Sequence, residues 1–409
     1  MKILLVNPWI VDFKAYDEWM RPFPFYRFLE RFRNNHDIKL IDCLGSHVRK
    51  KKFHTGDFES VELEPPAFFS RIPRKYKRYG ISLDEFRQAL TLFGKPDIVF
   101  ITSLMTYWYS GVALAVQEIR QAYPETFIKL GGIYPTLLPD HARQWASLGM
   151  SLDAEVTGGS REPTFLTVPE MKEVLPLRVI KGCPDRCPYC ATSKVNPGAV
   201  AVESVAENIG RIDCFVRSGG EEVVFYDDAP LYRFESGLAP LLHHILSLKR
   251  TLNLHFANGM HARMINEEVA GLLFSAGVKT LRLGFERSCG ERKVGAEDLV
   301  KAACCLKKAG FSPRETGAYL MLSPGDRLDR VRQDARLIHE VGLKIFVNQF
   351  APIPGSVRYE EIVQHQPEIA QEPLLQNDLT YLYTHGGFDW DTVWEFKHQV
   401  QELNKKLLV

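Results

Sequence analysis

The chain lacks several features that would settle its class at once. No apolar stretch approaches the about 18 residues of a membrane-spanning helix. The apolar run at the N-terminus, Ile3–Val6, stops at Asn7, and no small-residue cleavage site follows it. Cysteine is scarce, 8 in 409 residues, too thin for a disulfide scaffold. Neither sign of charge is in surplus. With 51 Lys and Arg against 50 Asp and Glu, the formal net charge is +1, which argues against a chain-wide basic field for nucleic acid and against an acidic tail. Low-complexity segments and short repeats are missing as well. A cytoplasmic protein with reduced thiols is expected, and in that setting clustered cysteines point to metal or catalysis.

The length predicts two or three domains, and 45% hydrophobic with 25% charged residues is a balance that buries a sizeable core. In the first part, apolar runs predict strands at Ile3–Val6, Ile38–Ile41, Asp97–Thr102, Phe127–Leu130 and Asp153–Val156. Amphipathic helices are predicted between them at Phe23–Phe32, Gly111–Ala122 and Asp140–Ser147. Strands alternating with helices imply a parallel sheet covered on both faces. Ligands of such sheets sit outside the carboxyl ends of the strands. Those ends carry Asn7-Pro8, Thr102-Ser103 and Gly131-Gly132, small residues that either admit a bulky ligand or make tight turns. Residues 43–95 interrupt the rhythm with Arg49-Lys50-Lys51-Lys52 and the basic, aromatic run Arg71–Tyr79. A solvated insertion, or a cap over a ligand with anionic groups, fits a neutral chain better than a nucleic-acid patch.

From about Pro176 to Glu361, strand then helix repeats six times. Strands are predicted at Leu177–Lys181, Glu222–Tyr226, Asn253–Ala257, Lys279–Phe285, Thr316–Leu322 and Lys344–Phe350. Helices of period near 3.6 include Asn266–Ala276 and Glu297–Ala309. Six βα units suggest a partial barrel, whose active site would lie at the C-terminal ends of the strands. A last helix is predicted at Phe388–Leu408.

Directly after the first of these strands comes Gly182-Cys183-Pro184-Asp185-Arg186-Cys187-Pro188-Tyr189-Cys190, a Cys-x3-Cys-x2-Cys spacing. Three thiolates on one tight loop can ligate three irons of a cubane 4Fe-4S cluster. Pro184 and Pro188 keep the loop from becoming a helix, so the sulfurs can converge. The fourth iron would lack a protein thiolate, an open position of the kind catalytic metal sites keep. Zinc would need a fourth local ligand, and no His or Cys follows until Cys214.

This spacing after a first barrel strand resembles the radical S-adenosylmethionine (SAM) superfamily. The resemblance implies that Cys183, Cys187 and Cys190 ligate the cluster and that its open iron chelates the amino and carboxylate groups of SAM. One-electron reduction then cleaves SAM to methionine and a 5′-deoxyadenosyl radical. Tyr189 occupies the aromatic position that packs on the cluster and reaches adenine. Asp227 and Asp228 end the second strand, where the family contacts the SAM amino group; read alone, they are a turn-starting Asp pair. Asn258 ends the third strand as a contact to ribose or carboxylate. Glu286 resembles the family glutamate near SAM, although many relatives carry Ser where this chain has Arg287. Tyr319–Gly325 looks like the fifth-strand segment, with Leu322-Ser323 replacing part of the usual Gly-Leu-Pro-Gly, and Gln349–Gly355 resembles the sixth, near adenine.

Met1–Pro8, Thr102–Tyr107 and Leu130–Thr136 in turn resemble the cobalamin-binding domain that precedes many radical SAM barrels. By that likeness Thr102, Ser103, Leu104, Gly131, Gly132 and Tyr134 are cobalamin contacts. The sequence departs from the pattern twice. It has no Asp-x-His-x-x-Gly motif, which implies base-off binding without a histidine ligand to cobalt. It also reads Gly158-Gly159-Ser160-Arg161-Glu162 where relatives often read Gly-Glu-Gly-Glu.

The resulting expectation is an α/β protein: an N-terminal Rossmann-like (flavodoxin-like) parallel sheet over 1–165 with a basic insertion at 43–95, a partial (β/α)6 TIM-type barrel over 172–363, and a short helical C-terminal extension over 364–409. Its implied activity is radical SAM chemistry, with cobalamin-dependent methyl transfer to an unactivated carbon. Non-methylating rearrangement, cyclisation or C–S bond formation is the alternative, and a turnover-free iron–sulfur redox or cobalamin-sensing protein is a third. Expected partners are a small-molecule or peptide substrate and an electron donor such as flavodoxin or ferredoxin. No membrane or nucleic acid is expected. His255 and His261 flank the third strand end but read better as hydrogen-bonded structural residues. Cys214 and Cys289 read as ordinary small residues, and Cys304-Cys305 point to different faces of one helix.

Overall fold

The computed structural model describes residues 1–70, 72–149, 171, 173–288, 291–292 and 294–408, apart from the side chains of 287–288 and 291–292. The chain forms two compact units. Met1–Met171 and Ile362–Asn377 make the first, and Lys172–Glu361 and Asp378–Val409 the second.

The first unit is built on five parallel strands: β1 (Lys2–Asn7), β2 (Asp37–Asp42), β3 (Ile98–Ile101), β4 (Phe127–Leu130) and β5 (Ser147–Leu148), in the order β5-β4-β3-β1-β2. This is the doubly wound order whose switch point, and hence its ligand crevice, falls between β1 and β3. Alternate residues serve opposite faces. Val99 and Ile101 join Leu4 and Val6 under helices α2 (Leu83–Phe93) and α3 (Tyr109–Ala122), which contribute Phe86, Leu90, Val112, Ala115 and Ile119. Phe100 instead meets Phe28 of helix α1 (Phe23–Phe32), their rings 5.7 Å apart. Both faces are therefore covered, which is why these strands read as continuous apolar runs.

Segment 43–95 is structured. Tyr76–Tyr79 pairs antiparallel with both Ile10–Asp12 and Ser60–Leu63, and His47–Lys50 pairs with Gly56–Phe58. Helix α2 starts from a capping box in which Ser82 and Glu85 satisfy each other's backbone amides. The helix predicted at Asp140–Ser147 is only the turn Pro139–Ala142, and Ser147–Leu148 instead pairs with β4. Pro139 sets the turn's start, and the two residues of β5 extend the sheet edge. The strand predicted at Asp153–Val156 lies outside the described residues.

The C-terminal segment Ile362–Asn377 is tied to the first unit through a buried carboxylate. Asp12 accepts from the Asn377 side-chain amide at 2.8 and 3.0 Å, from the Trp108 indole at 2.8 Å and from its neighbour's Phe13 N–H at 2.6 Å. Thr106 donates its hydroxyl to Gln376 at 2.6 Å, and Tyr109 donates to Glu372 at 3.1 Å. Asp12, Thr106, Gln376 and Asn377 are all buried.

The second unit holds six parallel strands in chain order: β6 (Val174–Leu177), β7 (Glu222–Phe225), β8 (Asn253–Phe256), β9 (Val278–Gly284), β10 (Thr316–Leu322) and β11 (Lys344–Gln349). Five long helices intervene: α4 (Val205–Arg217), α5 (Leu238–Ser247), α6 (Glu267–Ser275), α7 (Ala296–Ala309) and α8 (Leu328–Glu340). Sequential parallel order with a helix at each crossover is a partial (β/α)6 barrel. The last helix, α9 (Trp390–Lys406), attends to the free edge of β11. Asn404 accepts from the Ile345 amide at 2.8 Å and donates to the Ile345 carbonyl at 2.9 Å. An exposed edge strand is thereby given side-chain partners. No described helix is long and apolar enough to cross a membrane.

The first barrel strand is displaced from its prediction at Leu177–Lys181. Pairing with β7 ends at Leu177, and Ile180–Lys181 turn away to pair antiparallel with Ala201–Val202. The physical reason is a side chain: Asp227, beyond the end of β7, takes the Val179 and Ile180 amides that a neighbouring strand would otherwise bind.

Candidate functional site

The cysteine loop leaves that departing segment through Gly182, whose φ of +84° lies in the region only glycine enters without strain. Cys183, Cys187 and Cys190 follow as half-buried residues that form no disulfide. The Cys190 amide donates to the Cys187 carbonyl at 3.1 Å, closing a turn, and only at Thr192 does a short helix begin. The Cys183 sulfur lies 3.8 Å from the Asp185 carboxylate, and the Cys190 sulfur lies 3.1 Å from the Thr192 hydroxyl. Among the described residues no three His, Cys, Asp or Glu side chains gather closely enough to hold a single ion. Three soft thiol donors on one short loop are a donor set that suits an iron–sulfur cluster.

Tyr189 donates its phenol to Glu286 Oε2 at 3.2 Å, joining the cysteine loop to the end of β9. Burial, then the Glu286 charge, then Cys187 push its ionisation far above the ordinary tyrosine range. The phenol therefore stays neutral and remains a donor. Past β7, Asp227 is 1% exposed, and its Oδ1 accepts from the Val179 and Ile180 amides at 2.7 and 2.5 Å. Burial raises this carboxyl from 3.8 to about 7, against the lowering effect of the two amides. Its second oxygen is buried with no hydrogen-bond partner. Asp228 keeps solvent access, yet the protein mass around it raises its carboxyl, opposed by Arg178. Asn258, exposed after β8, donates its amide to the Tyr226 and Asp227 carbonyls at 3.3 and 3.2 Å. The structure thus brings Tyr189 to Glu286, and Asn258 to the backbone of Asp227, at successive strand ends of one barrel. The side chain of Arg287 and all of Cys289 lie outside the description.

Several polar side chains on these strands are buried. His255 is fully buried, with Glu222 at 2.8 Å and Thr280 at 3.0 Å, and so is a hydrogen-bonded structural residue. Arg282 donates to the Tyr319 phenol at 2.8 Å and lies 4.2 Å from the centre of the Phe346 ring. The His261 ring accepts from the Arg263 amide at 3.3 Å, as the cap of a short turn.

In the first unit the predicted contacts separate by burial. Leu104 and Gly132 reach solvent at the strand ends, Thr102 and Gly131 are half-buried, and Ser103 is buried. Gly132 has φ +97°, and a Cβ there would lie 2.3 Å from the Ser103 carbonyl oxygen, which already accepts from the Ile133 amide at 2.8 Å. This glycine is thus required by the chain's own close approach. Tyr134 is fully buried in the core, its phenol 2.6 Å from His141 Nδ1. Exposed Leu104 and Met105 form an apolar rim beyond β3. Sequence reasoning missed Arg178, Glu203 and Asn208, which brace the approach to the cysteine loop. Their only signal was proximity in sequence to that loop.

Residues 177–338 match the radical SAM superfamily. No curated protein matches the sequence. Among solved structures the chain is similar to a radical S-adenosylmethionine methyltransferase, TsrM, from Kitasatospora setae. The form with cobalamin and a 4Fe-4S cluster bound superposes with TM-score 0.61 at 14% identity, covering 89% of this chain and 78% of that one. The form with tryptophan substrate and the SAM analogue aza-SAM gives 0.60 at 13% identity, covering 89% and 76%. At such identities the likeness is one of fold, and at 89% coverage it extends beyond the barrel. The matched segment takes in the cysteine loop and four complete barrel strands, β7 to β10, so it is this part of the chain that is similar to the radical SAM superfamily.

Proposed function

We propose that this protein is a radical SAM methyltransferase that uses cobalamin to methylate an unactivated carbon of a small-molecule or peptide substrate. The observation that carries the reading is the loop of three half-buried cysteines, none in a disulfide, at the start of the segment that matches the radical SAM superfamily. Cys183, Cys187 and Cys190 would hold a 4Fe-4S cluster. Such a cluster supplies the electron that cleaves SAM to methionine and a 5′-deoxyadenosyl radical. Tyr189 and Glu286 form the hydrogen-bonded wall beside the cysteines, with the phenol kept neutral by burial. Asp228 and Asn258 offer an acceptor and an amide at the neighbouring strand ends for the polar groups of SAM. In the first unit Thr102, Ser103, Leu104, Gly131, Gly132 and Tyr134 line or underlie the strand ends at which cobalamin would lie, and the similar structure holds cobalamin. The Leu104–Met105 rim is apolar, as a corrin face requires. A flavodoxin or ferredoxin would deliver electrons, in the cytoplasm.

Anaerobic reconstitution of the full chain tests the reading. About four irons per chain, loss of iron in Cys183→Ala and formation of 5′-deoxyadenosine from SAM and reductant are expected. A triple cysteine variant that still binds iron and cleaves SAM would refute the cluster assignment. Corrin absorbance retained after cobalamin incubation and gel filtration tests the first unit, and S-adenosylhomocysteine formed with substrate separates methyl transfer from other radical outcomes.

A further inference from the structure

Between the last paired residue of β6, Leu177, and Cys183 the chain crosses five residues. Their backbone is held by side chains and strands from elsewhere in the barrel. The Arg178 carbonyl accepts from the Asn208 side-chain amide at 2.9 Å. The Val179 carbonyl accepts from the Glu203 amide at 2.7 Å, while the Glu203 carboxylate binds Arg178 Nε at 2.6 Å. The Val179 and Ile180 amides share Asp227 Oδ1. Ile180–Lys181 then pair with Ala201–Val202, and Gly182 turns the chain into Cys183. Asn208 and Asp227 are each 1% exposed, so these are interior hydrogen bonds, costly to leave unmade.

Asp227 is itself placed by the sheet. The Tyr226 amide donates to the Leu177 carbonyl at 2.9 Å, the last bond of the ladder, and Asn258 donates to the Asp227 carbonyl. One residue later the side chain takes over from the backbone. A carboxyl oxygen facing two successive amides does what a strand partner cannot: it holds both on one side and so bends the chain out of the sheet.

We infer that Asp227 is a positioning residue for the cysteine loop, whose side chain fixes where Cys183 starts, rather than a group that contacts SAM. For its consequence on the cluster, this rests on the functional reading above; for the loop itself it does not.

The test uses the full chain with Asp227→Ala and Asp227→Asn. Hydrogen–deuterium exchange of peptides covering 178–187 needs no cofactor. It should be about tenfold faster in the Ala variant and near wild type in Asn, which keeps an acceptor oxygen, since exchange reports local opening. After reconstitution the Ala variant should hold half the iron or less, with a broadened electron paramagnetic resonance line. The Asn variant should keep wild-type iron, line shape and the change in line shape on adding SAM. Unchanged exchange and iron in the Ala variant, with only the SAM response lost, overturns the inference. Should the Ala variant not fold, an Asn variant with normal exchange and iron but no SAM response overturns it equally. A wild-type chain that takes up no iron sinks the functional reading, while the exchange arm still decides the role of Asp227.

Discussion

The contact between Asn377 and Asp12 joins residues 365 positions apart, and its loss can be worked through in numbers. One side-chain amide serves both oxygens of a carboxylate that is 4% exposed. Hydrogen bonds to a charged group contribute about 1.5–3 kcal/mol. In Asn377→Ala the Trp108 indole and the Phe13 amide remain on Asp12, so the expected loss is about 2–3 kcal/mol. That is a substantial part of the roughly 5–15 kcal/mol that stabilises a domain. Asn377→Asp is expected to be worse near neutral pH, by a further roughly 2 kcal/mol, because a second carboxylate would face the first in a buried place. Its excess over the Ala variant should shrink on acidification, when one carboxyl can take a proton and donate it to the other. A two-unit chain does not guarantee a single unfolding transition, so the assay is local: hydrogen exchange in peptides covering 10–14 and 106–110. Exchange about 30- to 150-fold faster in Asn377→Ala corresponds to the expected loss, at tenfold per about 1.4 kcal/mol. Rates within threefold of wild type, with the Asp variant no worse than Ala, would refute the reasoning.

Other expectations follow from single groups. Burial raises the Asp227 carboxyl from 3.8 to about 7, so folding favours its protonated form. That contribution is complete below pH 4 and is lost as pH rises through 7. Relative to the permanently neutral Asp227→Asn, the cofactor-free wild type should lose about 3 kcal/mol between pH 5 and 8, and a pH-independent difference in their melting temperatures would sink this. Gly132→Ala should cost about 2 kcal/mol or more, because its Cβ would lie 2.3 Å from the Ser103 oxygen at φ +97°. Cobalamin retention should fall while SAM cleavage by the barrel persists, and a variant retaining corrin absorbance like wild type would contradict it. Tyr189→Phe removes the 3.2 Å bond to Glu286. Iron content should hold while SAM binding weakens about fivefold by titration calorimetry, the worth of about one hydrogen bond. Unchanged SAM affinity would show that Glu286 needs no such support.

The barrel was largely legible in the sequence because each strand is an apolar run bounded by turns. Thr316–Leu322 begins and ends where its pattern does, and four of the other five predicted strands shift by one residue, while the first is displaced to Val174–Leu177. The cysteine loop was legible because spacing on a short loop is a local property. What failed was whatever one distant side chain decides. Leu177–Lys181 is uniformly strand-like, and only the Asp227 oxygen diverts its second half. Helix α2 was hidden in a stretch judged by its charges, although Ser82 and Glu85 carry a capping signal and Phe86 and Leu90 a helical spacing. The turn at Pro139–Ala142 shows the reverse error, a helical pattern cut short where Ser147–Leu148 gains a strand partner. Gln376 and Asn377 carry no periodicity that would tie them to Thr106 and Asp12.

The divided C-terminal segment also governs how the molecule is made. On a ribosome the first 171 residues emerge early, but Asp12 and Thr106 must wait for Asn377 and Gln376 before their interior bonds can close. The long separation makes this contact entropically late whatever the rate of synthesis. Completion of the first unit is thereby deferred until nearly the whole barrel has been translated. A fragment ending at residue 171 would carry a buried carboxylate short of its amide, and a nascent chain would hold the segment Thr102–Tyr109 unfinished until the cysteine-bearing barrel has been synthesised.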